Sequence, residues 1–162
     1  MTQVFGIQYD STGPLPFVSA AIVAKYINGS FAQRPVHFGR GFVWIDVNGS
    51  EPGDAHWLDV ERGDAAPGMV PRWLHERRQR TGDPGGIYCN RSTLPAVLEA
   101  AGNVPFELWL ATLDGTVFPE ELGHLPSTVR PVLVQAFPAA LTGFHADLSM
   151  VIDQRYWDTR HA

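Results

Sequence analysis

Residues 57–112 decide the fold class of this chain, and they read WLDVERGDAAPGMVPRWLHERRQRTGDPGGIYCNRSTLPAVLEAAGNVPFELWLAT. The stretch alternates between short apolar runs and longer amphipathic segments that stop at glycine. The apolar runs have the length of buried strands, and the amphipathic segments repeat apolar residues at helical spacing. Strand and helix alternating in this way indicate βαβ units and a parallel sheet. The predicted strands are 57–60, 86–89 and 107–112, and the predicted helices are 67–80 and 93–101.

Outside this stretch, five more runs rich in apolar, aromatic or β-branched residues predict strands at 4–10, 22–27, 42–47, 132–137 and 148–152. Residues 28–62 carry strand signals and almost no helix signal, and a complete (β/α)₈ barrel needs about 250 residues. We therefore predict an α/β fold, a small, irregular or truncated TIM-like β/α barrel with a mostly parallel sheet. No linker or repeat divides the chain, so residues 1–162 are expected to form a single domain.

The composition excludes several classes of protein. The 162 residues are 44% hydrophobic and include 16 Gly and 13 Pro, which is typical of short elements joined by turns and not of a disordered chain or a helical bundle. No apolar run is long enough for a transmembrane helix. The net charge of −5 provides no field that would attract nucleic acid or an anionic membrane, so neither is an expected partner. The oligomeric state stays open.

The sequence also lacks the motifs typical of disulfide-bonded proteins and of metal or cofactor sites. Cys89 is the single cysteine, so an intrachain disulfide and a cysteine-based zinc site are excluded, and we expect a reduced, partly buried thiol. The six histidines show no metal-binding spacing, and no nucleotide-binding loop is present, so neither a metal nor a cofactor is predicted. The N-terminus lacks a secretory signal, which predicts cytoplasmic synthesis, with cell lysis or association with a phage as the route out.

Acidic residues occur at the ends of the predicted strands, where parallel α/β sheets carry their sites. Asp59 and Glu61 form the sharpest pair, because residues i and i+2 of a strand share one face with Cα atoms about 6.6 Å apart. Paired carboxylates suit glycoside hydrolysis, in which one acid protonates the leaving oxygen. Asp10 and Asp147 end or begin other strands. For Asp46, which precedes a turn, capping of that turn is the favoured interpretation.

Aromatic side chains on the same strands suggest a platform on which sugar rings stack. Tyr88 and Trp109 are the strongest candidates, and Tyr9 is a further one. The alternative is that each of these rings belongs to the core, which is the commoner role of a strand aromatic.

Five segments in a fixed order resemble glycoside hydrolase family 25, the lysozymes (N-acetylmuramidases), and in particular its divergent actinobacterial and phage-borne members. The resemblance covers roughly residues 40–153. It implies a flattened, irregular β/α barrel that acts on peptidoglycan. The segments are Trp57-Leu58-Asp59-Val60-Glu61, Gly86-Ile87-Tyr88-Cys89-Asn90-Arg91-Ser92, Leu108-Trp109-Leu110-Ala111, Val134-Gln135 and Asp147-Leu148-Ser149.

The resemblance also implies roles for individual residues. Glu61 matches the proton donor of the family, and Asp59 matches the partner that positions the reacting N-acetyl group. Asp147 matches an acidic residue on the last strand, and Gln135 falls beside the substrate. The first strand departs from the family pattern, because Gln8 stands where an aspartate is usual. Asp10 lies two residues further on, and the period of a strand turns it to the same face.

Two functions follow from these residues. The first is a lysozyme-like glycoside hydrolase that cleaves a bacterial cell-wall polysaccharide with Glu61, Asp59, Asp10 and Asp147. The second is a non-catalytic module that binds glycan or another protein on the same barrel. A solvent-open cleft that contains Asp59 and Glu61 favours catalysis, whereas sealed or salt-bridged carboxylates favour the inert module. The fold prediction places Asp10, Asp59 and Glu61 at one mouth of a largely parallel sheet built from strands 4–10, 42–47, 57–60, 86–89, 107–112 and 131–137.

Overall fold

Eight strands follow one another around a closed barrel in the computed structural model, which describes residues 3–11, 22–32, 41–142 and 146–161. Each strand pairs with the next in the chain, and the last pairs with the first. The prediction of a mixed α/β fold with a mostly parallel barrel is confirmed. The strands are β1 (Gly6–Ser11), β2 (Ile22–Tyr26), β3 (Phe42–Asp46), β4 (Trp57–Asp59), β5 (Gly86–Asn90), β6 (Phe106–Ala111), β7 (Val129–Phe137) and β8 (Ala146–Val151).

Helices are few and unevenly placed in the described residues. Both predicted helices are present, and a 3₁₀ turn at Pro67–Met69 precedes the first. Two further helices have no clear signal in the sequence. One is a single turn, and the other has adjacent apolar residues, Tyr156 and Trp157, that form no helical stripe. None of the described helices has the length and apolar character of a membrane span. The helices are α1 (Val70–Thr81), α2 (Leu94–Ala101), α3 (Ala139–Thr142) and α4 (Gln154–His161).

The predicted shortage of helices between residues 28 and 62 is confirmed for the part of that stretch that the structure describes. Residues 28–32 and 41–62 contain strands and turns only, whereas residues 33–40 lie outside the described ranges. Helices α1 and α2 cover the outer face of β4, β5 and β6 and form one of two apolar cores.

Strand direction changes only at β8. The six pairings from β1 to β7 are parallel, whereas β8 is antiparallel to both of its neighbours. Eight residues connect β7 to β8, and a parallel return would need a crossover of about a dozen or more. The start of β8 therefore lies at the same end of the barrel as the carboxyl ends of the other strands. Asp147 is consequently paired in register with Asp10.

The barrel interior is filled with side chains below this end. Trp57 is fully buried and contacts the rings of Trp109 and Tyr156 at centroid distances of 5.4 and 5.8 Å. Tyr156 belongs to α4, so this helix closes the opposite end of the barrel. Packed layers of this kind make a core and not a pore, which leaves the carboxyl ends of the strands as the place for a site.

Cys89 lies in the outer core, as predicted from its strand position. Its side chain has no exposed surface, and burial raises the pKa of the thiol to about 12. Because the thiolate is the reactive form, we expect the native protein to react slowly with a thiol reagent, and the unfolded chain to react rapidly with one equivalent. Rapid labelling of the native protein at pH 7 would contradict this burial.

Candidate active site

A cavity of about 560 Å³ opens at the end of the barrel where the parallel strands finish, and five carboxylates line it. Val60 turns outward into the core beneath α1, so the strand period directs Asp59 and Glu61 inward on either side of it. The structure thus brings together all four carboxylates that the sequence singled out, and it adds one that sequence reasoning missed. The carboxylates are Asp10, Asp59, Glu61, Asp64 and Asp147.

Glu61 is half-buried, and a neighbouring amide holds its carboxyl group. Asn90 Nδ2 donates to Glu61 Oε1 at 3.1 Å, while Asn90 Oδ1 accepts the backbone N–H of Thr93 at the start of α2. The helix start therefore fixes the amide that orients the acid. Burial raises the pKa of Glu61 above its ordinary value, and the charges of Asp64 and Asp147 add to this against the hydrogen bond from Asn90. A raised pKa is what a general acid needs near neutral pH.

Among the five carboxylates of the cavity, Asp59 has the most strongly raised pKa. Its side chain is 4% exposed, and Oδ1 has no hydrogen-bond partner in the described part of the chain. Burial is the main cause that raises the pKa of Asp59 to about 9, and repulsion from Glu61, Asp64 and Asp10 contributes further. Asp59 therefore keeps its proton at neutral pH, unlike an ordinary aspartate.

Asp10 lies beside Asp59 with partners of its own. Tyr26 donates its hydroxyl proton to Asp10 Oδ2 at 2.7 Å. Burial raises the pKa of Asp10 to about 7, and Asp147 also raises it, whereas the hydrogen bond from Tyr26 and the charge of Lys25 oppose the shift. The pKa of Asp10 therefore lies in the physiological range, below that of Asp59 and above that of an ordinary aspartate.

The first strand places Gln8 and Asp10 at different depths of the barrel. Gln8 is fully buried one level below the cavity, where Tyr156 donates its hydroxyl proton to Gln8 Oε1 at 2.8 Å. Two residues further on, Asp10 reaches the cavity wall. The glutamine is thus part of the core, and the carboxylate of this strand is displaced by one layer toward the mouth.

Asp147 is held by a chain of hydrogen bonds that crosses the barrel. Tyr88 donates its hydroxyl proton to Gln135 Oε1 at 2.6 Å, and Gln135 Nε2 donates to Asp147 Oδ2 at 3.0 Å. The backbone N–H of Ala139 donates to the other carboxylate oxygen. Burial raises the pKa of Asp147, against the hydrogen bond from Ala139. Gln135, which is fully buried, supports the site from behind and does not line the cavity.

The predicted aromatic platform is only partly present. Tyr88 lines the cavity, but Trp109 is fully buried beneath it and donates its indole N–H to Ser149 Oγ at 2.8 Å. A ring without exposed surface cannot stack on a sugar, so Trp109 supports Tyr88, whose centroid is 4.9 Å away. Tyr9 does not line the cavity, because it alternates with the two inward side chains of β1 and so faces outward.

Two aromatic residues at the mouth were missed by sequence reasoning. Tyr26 ends β2 in the cavity wall, and Phe31 follows it on the rim with 56% of its side chain exposed. The sequence does contain a signal for Tyr26. This residue shares one face of β2 with the buried Ile22 and Ala24, and it lies at the strand end just before the Asn28-Gly29 turn.

Asp46 caps a turn, as the sequence favoured, and does not line the cavity. Its carboxylate accepts hydrogen bonds from Asn28 Nδ2, the backbone N–H groups of Gly49 and Glu51, and Trp73 Nε1, all between 2.8 and 2.9 Å. Burial raises its pKa, but these hydrogen bonds outweigh burial and lower the pKa below the ordinary value. Asp46 therefore ties the turns after β2 and β3 to α1, and these turns form one wall of the cavity.

The charge of the cavity restricts what it can bind. Among the described lining residues there are five carboxylates and no lysine, arginine or histidine. No group of three or more His, Cys, Asp or Glu side chains in the described ranges is arranged to hold a metal ion. The cavity therefore suits an uncharged, hydroxyl-rich or amide-bearing ligand better than an anionic one.

A scan against protein-family models matches none, and searches of curated proteins and of solved structures likewise find no significant match.

The raised pKa of Asp59 predicts how stability depends on pH. Above about pH 4 the unfolded chain releases this proton while the folded protein keeps it, so stability falls as pH rises toward about 9. Asp59→Asn removes the penalty, and we expect its free energy of unfolding at pH 8 to exceed that of the wild type by about 2 kcal/mol or more. Urea unfolding at pH 5 and pH 8 measures the effect.

Asp64→Asn is the matched control, because Asp64 lines the same cavity but is exposed. We expect it to change stability little at either pH. An Asp59→Asn variant that is less stable than the wild type at pH 8 would show that the carboxylate is ionised and stabilising in the folded protein.

Proposed function

We propose that this chain is a lysozyme-like glycoside hydrolase, built on an irregular TIM-like barrel, that cleaves a polysaccharide of the bacterial cell wall. The observation that carries the proposal is the placement of Glu61. Its carboxyl group is half-buried in an open cavity, is oriented by Asn90 and lies two residues from the proton-retaining Asp59. An acid held in this way can protonate a glycosidic oxygen.

The other carboxylates have roles that fit the positive charge of the transition state. As Glu61 protonates the leaving oxygen, the glycosidic bond breaks and positive charge develops on the sugar ring. Asp10 and Asp147 lie opposite each other on β1 and β8 and supply negative charge on that side of the cavity. Asp59 carries a proton near neutrality and orients the N-acetyl group of the substrate.

The size and polarity of the cavity support this substrate class. A volume of about 560 Å³ falls within the usual range for small-molecule sites, roughly 300–1,000 Å³. An N-acetyl sugar is uncharged, so the acidic lining does not repel it. Tyr88 and Tyr26 add aromatic surface, and Phe31 at the rim extends it toward the next sugar of a polymer.

A non-catalytic glycan-binding module is the second candidate, and the burial of the carboxylates favours it. Asp59 and Asp10 are only 4% and 7% exposed, so a ligand in the cavity contacts little of either side chain. A module of this kind retains the cavity and binds sugar without bond cleavage.

Suspensions of purified cell walls distinguish the two candidates. We expect the wild-type protein to lower the turbidity of actinobacterial or other Gram-positive walls in a manner that depends on enzyme concentration. Protein that co-sediments with the walls and leaves turbidity unchanged between pH 4 and pH 8 would support the binding module. Protein that neither binds nor clears any wall would refute both candidates.

A further inference from the structure

A second cavity lies at the opposite end of the barrel, beneath α4, with a volume of about 300 Å³. Its walls come from the amino ends of β4, β6 and β7, the loop that precedes β5, and one side of α4. None of the five carboxylates of the first cavity lines it. Its charged lining residues are Arg77, Asp83, Glu107, Arg130, Arg155 and Arg160.

The arginines of this cavity are incompletely neutralised. Arg130 is ion-paired with both Glu107 and Asp153. Of the other three arginines, Arg77 and Arg160 share one carboxylate, since Asp83 lies 3.4 Å from Arg77 and 3.9 Å from Arg160. Arg155 has no ion pair among the described residues. The four arginines thus face three carboxylates, so one positive charge remains in excess.

His56 is a further polar residue of this cavity. Its Nδ1 accepts the backbone N–H of Trp44 at 3.0 Å, so the neutral ring carries its proton on Nε2. Burial is the main cause that lowers the pKa of His56 to about 3, and the charges of Arg160 and Arg77 contribute to this shift. His56 thus lines the cavity as a neutral hydrogen-bond donor and adds no positive charge.

We propose that this cavity binds the phosphate group of a small anionic ligand through Arg155, Arg160 and His56. Arg155 has no ion pair among the described residues, and Arg160 shares Asp83 with Arg77, so the planar N–H forks of both are open to the oxygens of a phosphate. Arg77 is held by the backbone carbonyls of Pro52 and Ala55, so it contributes charge without moving. The site does not depend on the proposed hydrolase activity, because it lies at the other end of the barrel.

Calorimetric titration of the full chain with inorganic phosphate tests the site, at pH 7 and at an ionic strength held constant with sodium chloride. We expect saturation at one phosphate per chain. Arg155→Gln and Arg160→Gln should each weaken binding by about tenfold or more. The matched control is Arg72→Gln, because Arg72 lies on α1 away from the cavity with 70% of its side chain exposed, and it should bind like the wild type.

Two results would overturn the proposal. One is the absence of saturable phosphate binding to the wild type. The other is phosphate binding by Arg155→Gln that equals that of Arg72→Gln, since Arg155 is exposed and its loss leaves the fold intact. Glu61→Gln should bind phosphate like the wild type, which separates this site from the first cavity.

Discussion

Glu61→Gln is expected to abolish cleavage of cell-wall glycan while the folded structure is preserved. Glutamine keeps the shape of the side chain and its hydrogen bond with Asn90, but it cannot donate the proton that the leaving oxygen needs. General acid–base catalysis contributes about 10²–10⁴-fold to a rate, so the loss should reach that size. Release of reducing sugar from purified walls measures it, and the thermal unfolding midpoint verifies the fold.

The neighbouring carboxylates provide graded comparisons for Glu61. Asp59→Asn should be nearly as damaging, because an amide cannot release a proton and so cannot supply negative charge as positive charge develops on the N-acetyl sugar. Asp10→Asn measures whether the carboxylate displaced along β1 contributes to the reaction. Asp64→Asn, an exposed neighbour in the same cavity, should retain most activity. Activity that survives Glu61→Gln would refute the assignment of the acid.

Asp46→Ala is expected to cause the largest loss of stability among single changes near the site. The substitution leaves Trp73 Nε1 and three backbone N–H groups in the β3–β4 turn without their acceptor. Each buried donor that loses its partner costs about 1–3 kcal/mol, so we expect the free energy of unfolding at pH 7 to fall by about 3–4 kcal/mol. Urea-induced unfolding followed by tryptophan fluorescence gives the value.

Asp54→Ala is the matched control for Asp46, because Asp54 is an exposed aspartate in the loop that follows. Its removal should change stability by less than about 0.5 kcal/mol. The pH dependence provides a second check. Because hydrogen bonds lower the pKa of Asp46, its contribution is present above pH 4 and is lost as pH falls through the lower folded value. Equal stability of the two alanine variants at pH 7 would contradict the role of Asp46.

The sequence predicted the strands well because each of them has a local signal. Runs such as 42–47 and 86–89 are apolar, have strand length and stop at turn residues, so their positions do not depend on distant partners. The direction of β8 has no such signal, since it follows from the length of the connection after β7. Helix α4 was missed for a related reason, because Tyr156 and Trp157 acquire their apolar environment only when the barrel end packs against them.

The candidate site was predictable to the extent that strand period and strand ends determine it. These two features place Asp10, Asp59, Glu61 and Asp147 around one cavity. They do not reveal how deep in the barrel an inward side chain lies. Trp109 was therefore expected to face the substrate, whereas it lies in the layer below the cavity. Phe31 was missed because it follows a turn, where the strand period no longer applies.

The products of one digestion test our claim that the carboxylate cavity cleaves a glycan. Purified peptidoglycan is incubated with the wild-type protein and with Glu61→Gln, and the soluble fragments are reduced with borohydride and identified by mass spectrometry. We expect fragments that end in a newly reduced amino sugar with the wild type and none above background with Glu61→Gln. Wild-type protein that binds the glycan but yields no new reducing end would contradict the claim.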